Sequence, residues 1–365
     1  MRRLFAFLIF FLFINLKTAS AIEISAECAC LINAENNEVI FEYNGNQKHS
    51  MASTTKIMTA ILALEESEPD EIVTVSANAS SQEGSSIYLK TGEQISMENL
   101  VYGMMLNSGN DAACAVAEHI GGTSEEFAQM MSKKAQEIGA KNTSFKNANG
   151  LDADGHFSTA YDMAIISSYG LKNRDFKDIV STKNSKIDNG ETVTYLKNHN
   201  KLLWNYDGCI GIKTGYTKRT GRCLVSAAEK DGVTLIAVTL NAPDDWQDHE
   251  KMLDYGFENT RKQLIVKKGE VLKSFNGFNA VSKEDVYITA KNNLKSDSKM
   301  VLHTVKKPNF DIIKGEKIGY AQIIYNGKVI KNVDLISDND YYAEKAKSTF
   351  FDNLIKLIKI LLLNY

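Results

Sequence analysis

The chain has 365 residues, and its 42 Lys and Arg against 45 Asp and Glu give a formal charge of −3. With no basic stripe interleaved with aromatics, no nucleic-acid partner is expected. Five irregularly spaced cysteines and six scattered histidines argue against a disulfide framework, a metal site or a metal cofactor, since neither Cys-x-x-Cys nor His-x-x-x-His spacing occurs.

The N-terminus reads as an export signal. Arg2-Arg3, the apolar run 4–16 and Ala19-Ser20-Ala21 supply the charged, hydrophobic and small-residue parts of a secretory signal peptide over 1–21. The run is short for a bilayer span, which needs about 20 residues, so cleavage after Ala21 is expected. Residues 22–25 and 29–33 then alternate toward a strand, Glu35-Asn36-Asn37-Glu38 is turn chemistry, and 39–43 returns as the partner of a hairpin.

The hairpin feeds Met51-Ala52-Ser53-Thr54-Thr55-Lys56, at the head of an apolar run over 57–64. A run apolar on nearly every side reads as a helix buried all round. Ser53 falls in its first turn, with Lys56 one turn on and on the same face. A lysine held in an apolar interior loses solvation of its charged form, so its pKa falls and it can act as a general base. A serine is a weak nucleophile until such a base adjoins it. The plainer reading is an N-cap serine beside a surface lysine, and Ser-x-x-Lys recurs at Ser296 and Lys299 in a polar segment.

Short strands or loops follow over 69–91, then a helical pattern over 96–120, broken at Asn107-Ser108-Gly109-Asn110-Asp111. An amphipathic helix is predicted over 124–138, a loop over 145–158 and a helix over 159–169. Four strand-like runs at 193–197, 209–214, 222–228 and 234–241 suggest an antiparallel sheet, closed by a helix over 245–260. Early strands, a central helical cluster and late strands imply an α+β domain over 22–262, whose antiparallel sheet joins both ends of the segment. From 264 to 340 short strands alternate with Gly, Asn and Asp turns, which reads as a small all-β domain. In 341–365 a polar tether leads to an apolar stretch in which Asp352, Asn353, Lys356 and Lys359 recur at helical spacing. That pattern predicts an amphipathic helix lying in a membrane interface; the alternative is a helix packed on its own domain.

Lys-Thr-Gly occurs twice. At 90–92 it runs into a helical segment and reads as a turn, whereas Lys213-Thr214-Gly215 sits on a sheet edge. An edge strand can pair with an extended peptide, and Gly215 permits close backbone approach. Individually the bland readings stand: Ser108 caps a helix and Asn110 closes a turn, Lys213 is an edge-strand charge, the cysteines are small buried residues, and His156 holds its loop. His199 is at most a peripheral contact, and a Cys209–Cys223 bridge is conceivable if their strands pair.

In order and with their flanks, the three motifs resemble the serine D-Ala-D-Ala carboxypeptidases, the low-molecular-weight penicillin-binding proteins. The flanks that carry the likeness are Ser53-Thr54-Thr55-Lys56-Ile57-Met58-Thr59, Asn107 to Ala113, Asn149-Gly150-Leu151 with His156 to Ala160, and Gly211-Ile212-Lys213-Thr214-Gly215-Tyr216-Thr217. The resemblance implies a penicillin-binding, β-lactamase-like fold with an inserted helical cluster, no cofactor, peptidoglycan pentapeptide stems as substrate and β-lactams as covalent inhibitors. It implies that Ser53 attacks the penultimate D-Ala carbonyl with Lys56 as base. Ser108 would relay the proton, and Asn110 would hold the substrate amide and fix Lys56. Lys213 would supply positive potential, Thr214 bind the terminal carboxylate, and the backbone N–H groups of Ser53 and Tyr216 form the oxyanion hole. It also implies a place at the outer face of the cytoplasmic membrane. Two rival readings are a β-lactamase, whose water-activating glutamate context is not visible, and an idle wall-binding or penicillin-sensing protein.

Overall fold

The computed structural model describes residues 22–188, 193–291, 298–304, 310–325 and 327–343, with 354–355 and 358–359 near the C-terminus. The expected signal peptide, Ser296 and most of the expected tether and terminal helix lie outside the described residues.

Residues 22–26 are not strand; Ser25 instead donates its N–H and hydroxyl to the Asp248 carboxylate. β1 (Cys28–Asn33) and β2 (Val39–Tyr43) form the expected hairpin. A tight 3-10 turn, Ala52–Thr55, then leads into α1 (Lys56–Glu66). The helix is buried from Lys56 to Ala63, as its all-round apolar run requires. β3 (Ile72–Thr74), α2 (Ala77–Ser80) and β4 (Gln94–Ser96) make a small flanking layer. The helical cluster follows: α3 (Met97–Leu106), α4 (Asn110–Gly121), α5 (Ser124–Glu137), α6 (Ala160–Gly170) and α7 (Arg174–Ser181). Ser96, Thr123 and Thr159 cap α3, α5 and α6 by accepting a backbone N–H three residues on, which satisfies orphan donors of the first turn.

β5 (Asn184–Asp188) and β6 (Val193–Lys197) form a separate hairpin, so 193–197 does not join the main sheet as its strand-like pattern suggested. After α8 (Leu202–Asn205) come β7 (Cys209–Thr217), β8 (Gly221–Lys230), β9 (Val233–Leu240) and α9 (Asp245–Asn259). Among the described residues the main sheet has five antiparallel strands in the order β2-β1-β9-β8-β7, joining both ends of the segment and leaving β7 at the edge. The α1 to α7 side packs into one core, and α9 closes the other face over Leu31, Leu235 and Ala237. β7 and β8 do pair, but Cys209 faces Ala228 and Cys223 faces Gly215, so the two thiols are several residues out of register and all five cysteines are free.

β10 (Thr260–Val266), β11 (Val271–Ser274), β12 (Asn279–Ser282), β13 (Val286–Lys291), β14 (Ser298–Thr304), β15 (Lys317–Tyr325) and β16 (Lys328–Ser337) form the second, all-β unit with a hydrophobic core of its own. It touches the first unit at the β1–β2 turn. Asn33 and Asn36 donate to the Thr289 carbonyl at 2.8 and 3.0 Å, and the Tyr325 hydroxyl meets Glu38 at 3.0 Å. No helix among the described residues is long and apolar enough to cross a membrane.

Candidate active site

Ser53 lies in the 3-10 turn that precedes α1, one turn before Lys56, and the turn keeps the two on one face: Lys56 Nζ is 3.0 Å from Ser53 Oγ. Lys56 is fully buried, which rules out the surface-lysine reading. Its Nζ also lies 2.7 Å from Asn110 Oδ1 and 2.5 Å from the Asn149 carbonyl. Burial pushes the Lys56 pKa well below the usual lysine range; the charge of Lys213 pushes it further the same way, and Asp111 opposes. A neutral amine has two N–H donors and one lone pair. With two acceptors engaged on Asn110 and Asn149, the lone pair is left for the Ser53 hydroxyl.

The α3–α4 break supplies the second wall. Ser108 is buried with a positive φ of 62°, and it lines the same cleft as Ser53. Asn110, the first residue of α4, also donates Nδ2 to the Glu83 carbonyl at 2.6 Å, which leaves one amide hydrogen uncommitted. The Asp111 carboxylate accepts from the Ser86 hydroxyl and from the N–H groups of Ile87 and Leu89, at 2.6 to 3.1 Å. It therefore binds the 86–89 loop to the motif.

β7 supplies the third wall. Lys213 is buried on the inner side of the edge strand, so it is not a solvent-facing edge charge. Its Nζ donates to the Thr214 carbonyl at 3.0 Å, and burial pushes its pKa down to about 7. Thr214, Gly215 and Tyr216 line the cleft. A Cβ on Gly215 would sit 3.0 Å from Ser53 N and 3.1 Å from Met51 O, so this glycine lets the β7 backbone lie against the Ser53 turn. The Lys90-Thr91-Gly92 copy is an exposed turn away from Ser53, as expected.

His156 accepts the Lys146 N–H on Nδ1 at 2.9 Å, and Nε2 meets Thr55 Oγ1 at 2.8 Å. Burial lowers its pKa to about 4, so it is a neutral loop anchor. His199 lines the cleft and is exposed, its pKa lowered by desolvation and then by Lys213. Residue-level reading assigned no part to Asn149 or Asp111. Asn149-Gly150 was visible only as a flank, because a backbone carbonyl that serves as a ligand leaves no trace in residue type.

Residues 15–244 match the D-alanyl-D-alanine carboxypeptidase family, and residues 260–343 match the penicillin-binding protein 5 C-terminal domain. D-alanyl-D-alanine carboxypeptidase DacF of Bacillus subtilis is 34% identical, over 89% of this chain and 88% of its own length. DacA of Escherichia coli is 30% identical, over 95% and 91%. The crystal structure of penicillin-binding protein 5 from Haemophilus influenzae superposes with a TM-score of 0.67 at 28% identity, over 87% of this chain and 98% of that one. With the family model matched over most of the chain and relatives of 30% identity or more matched along most of both lengths, the chain belongs to the D-alanyl-D-alanine carboxypeptidase family of penicillin-binding serine peptidases.

Proposed function

We propose that the chain acts as a serine D-Ala-D-Ala carboxypeptidase on peptidoglycan pentapeptide stems through an acyl-enzyme at Ser53, and that β-lactams acylate the same hydroxyl. The carrying observation is the environment of Lys56, whose amine is 3.0 Å from Ser53 Oγ and has acceptors on its other side. The Ser53 proton passes to Lys56 as Oγ bonds to the carbonyl carbon of the penultimate D-Ala. Ser108 hands a proton to the leaving amine as the C–N bond breaks and terminal D-Ala departs. Water then hydrolyses the ester, regenerating Ser53.

In this reading Asn110 holds Lys56 through Oδ1 and the substrate amide through its uncommitted hydrogen. Lys213 and the Thr214 hydroxyl attract the terminal carboxylate. The backbone N–H groups of Ser53 and Tyr216 stabilise the oxyanion, where losing one donor costs about 3 kcal/mol. Gly215 lets those two segments approach. A β-lactamase would need a carboxylate to activate the deacylating water. Among the described cleft-lining residues Asp245 is the sole carboxylate, and it is tied to Arg222 at 2.7 Å.

The reading extends to the whole chain: an exported protein with a catalytic domain over 22–262, a β-domain over 264–340, and a terminal helix that rests on the outer face of the cytoplasmic membrane. Leu354, Ile355 and Ile358 are helical and exposed, which supports an apolar face left for lipid. Intact-mass measurement of the chain from residue 22, with and without penicillin, tests the core of the reading. The wild type gains one penicillin and releases D-Ala from a muramyl pentapeptide, and Ser53→Ala does neither. Labelling that persists in the variant, or a wild type that releases no D-Ala, overturns it.

A further inference from the structure

The loop that holds Lys56 is tied to the end of β7 and to the approach to Ser53 at one carboxylate. Asn149 gives its carbonyl to Lys56 Nζ at 2.5 Å, and the Ala148 carbonyl accepts from Thr59 Oγ1 at 2.6 Å. Three residues on from Asn149, Asp152 Oδ1 accepts from the hydroxyls of Thr217 and Thr220 at 3.2 and 3.1 Å. Thr217 ends β7, one residue beyond Tyr216, and Thr220 closes the turn into β8. The hydroxyls of Ser50 and Thr220 lie 2.7 Å apart, which brings in the chain three residues ahead of Ser53.

Counting hydrogens fixes the direction of these bonds, because a carboxylate only accepts and a hydroxyl donates once. Thr220 Oγ1 therefore commits its hydrogen to Asp152 and receives that of Ser50. Thr217 Oγ1 also donates to Asp152, and it accepts the Thr220 N–H at 3.0 Å. Thr220 is fully buried, so its polar groups need these partners. Asp152 itself is exposed and does not line the cleft. The loop between its two anchored ends is stiff. Asn147 takes the Gly150 N–H on Oδ1 at 2.7 Å and donates Nδ2 to the Leu151 carbonyl at 2.8 Å. Gly150 lies against the Ser53 turn, where a Cβ would overlap the Ala52 carbonyl.

We infer that Asp152 is a positioning residue. Its carboxylate latches the end of β7 and the approach to Ser53 to the loop that holds Lys56. One group thereby sets the spacing of the Ser53 and Tyr216 N–H groups and the seat of the Asn149 carbonyl on Lys56. The inference rests on the Ser53 reading; it gives Asp152 no proton to carry and no contact with substrate. Oxyanion donors work only within about 3 Å of the developing charge, so a shift at Thr217 is felt at its neighbour Tyr216. An accepting carbonyl favours the charged amine, so withdrawing the Asn149 carbonyl lowers the Lys56 pKa further.

Asp152→Asn and Asp152→Ala in the chain from residue 22 separate the bonds from the charge. Both remove the charge, and only Asn keeps an oxygen that accepts from the two hydroxyls. Asp152→Ala lowers the rate of penicillin acylation and kcat/KM for the pentapeptide by about tenfold to a hundredfold, as misplaced reacting groups do. Its acid limb moves down by at least about half a pH unit. Asp152→Asn stays within about threefold of the wild type with the acid limb in place, because both hydroxyls keep an acceptor. Thr217→Val, which cuts the latch from the β7 side, slows acylation in the same direction and adds little to Asp152→Ala, as expected of residues that act through one contact. Complete labelling at long times shows that each variant is folded, so the rates alone are compared. An Asp152→Ala enzyme as fast as the wild type overturns the latch while the carboxypeptidase reading stands. So does an acid limb that moves equally in the Asn and Ala variants, or losses at Asp152 and Thr217 that simply add. A wild type that neither takes up penicillin nor releases D-Ala overturns the Ser53 reading and the latch with it.

Discussion

At the residue scale the chemistry turns on two buried lysines with different surroundings. Lys56 has two acceptors and a hydroxyl around Nζ, and it is burial, with the nearby Lys213 charge, that favours its neutral amine. Lys213 has the Thr214 carbonyl and a pKa pushed down by burial to about 7, so near neutrality it exchanges its proton readily and an arriving carboxylate favours the charged form. The sign of the pH dependence follows. Lys213 is charged below about 7 and loses its charge as pH rises, so kcat/KM for the pentapeptide falls on the alkaline side, while its acid limb follows loss of the proton from Lys56. In Lys213→Arg the charge persists at all working pH values. The alkaline limb then moves up by more than about one pH unit, while the acid limb stays where it is, because Lys213 already carries its charge on that side. Rate profiles at low substrate concentration check both limbs, and an alkaline limb unmoved by Lys213→Arg would assign it to another group.

At the element scale two tight turns hold Ser53 and Ser108, the proposed nucleophile and relay. Ala52 and Ser108 both have positive φ, 46° and 62°, in a region costing non-glycine residues about 1 kcal/mol or more. Packing against the 149–150 segment sustains the first turn. Gly150 has φ +87°, and a Cβ there would come 2.0 Å from the Ala52 carbonyl oxygen and 2.9 Å from Ser53 N. Gly150→Ala is therefore expected to destabilise the fold by at least about 2 kcal/mol and to slow penicillin acylation more than the unfolded fraction explains. Denaturant unfolding and acylation rates of the same preparations separate the two effects. Much of this level was legible beforehand. The all-round apolar run of α1, the break at Asn107 to Asp111, and the Lys213 edge strand are local patterns, and the capped starts of α3, α5 and α6 match the predicted helices to within a residue. What was not legible was non-local. Residues 193–197 look like any short strand, and their partner at 184–188 cannot be read from their own sequence. The short α7 at 174–181 was missed because its charged residues mask a narrow apolar face of Phe176, Ile179 and Val180.

At the scale of the whole molecule the main sheet sets two ends apart. Gly215 to Thr217 and Arg222, which line or border the cleft, lie at one end of the β7–β8 ribbon. At the other end are Lys230, Val233 and the β1–β2 turn at 33–38, and that turn carries the hydrogen bonds to the β-domain. Removing 348–365 is expected to release the protein from membranes without changing D-Ala release in solution, because none of the described residues of that segment lines the cleft. Sedimentation with vesicles beside a soluble-substrate assay measures the two separately, and unchanged sedimentation would contradict the anchor. The hydrogen bonds at Asn33, Asn36 and Glu38 have a further consequence. They make the β-domain a strut, and its longer strands, nine and ten residues in β15 and β16, correspond to a rod about 30 Å long. If the terminal segment rests on lipid as proposed, an enzyme mounted on such a strut would work at a set height above the bilayer. Which layer of the wall it trims would then be decided by the length of its leg as much as by the chemistry of its cleft.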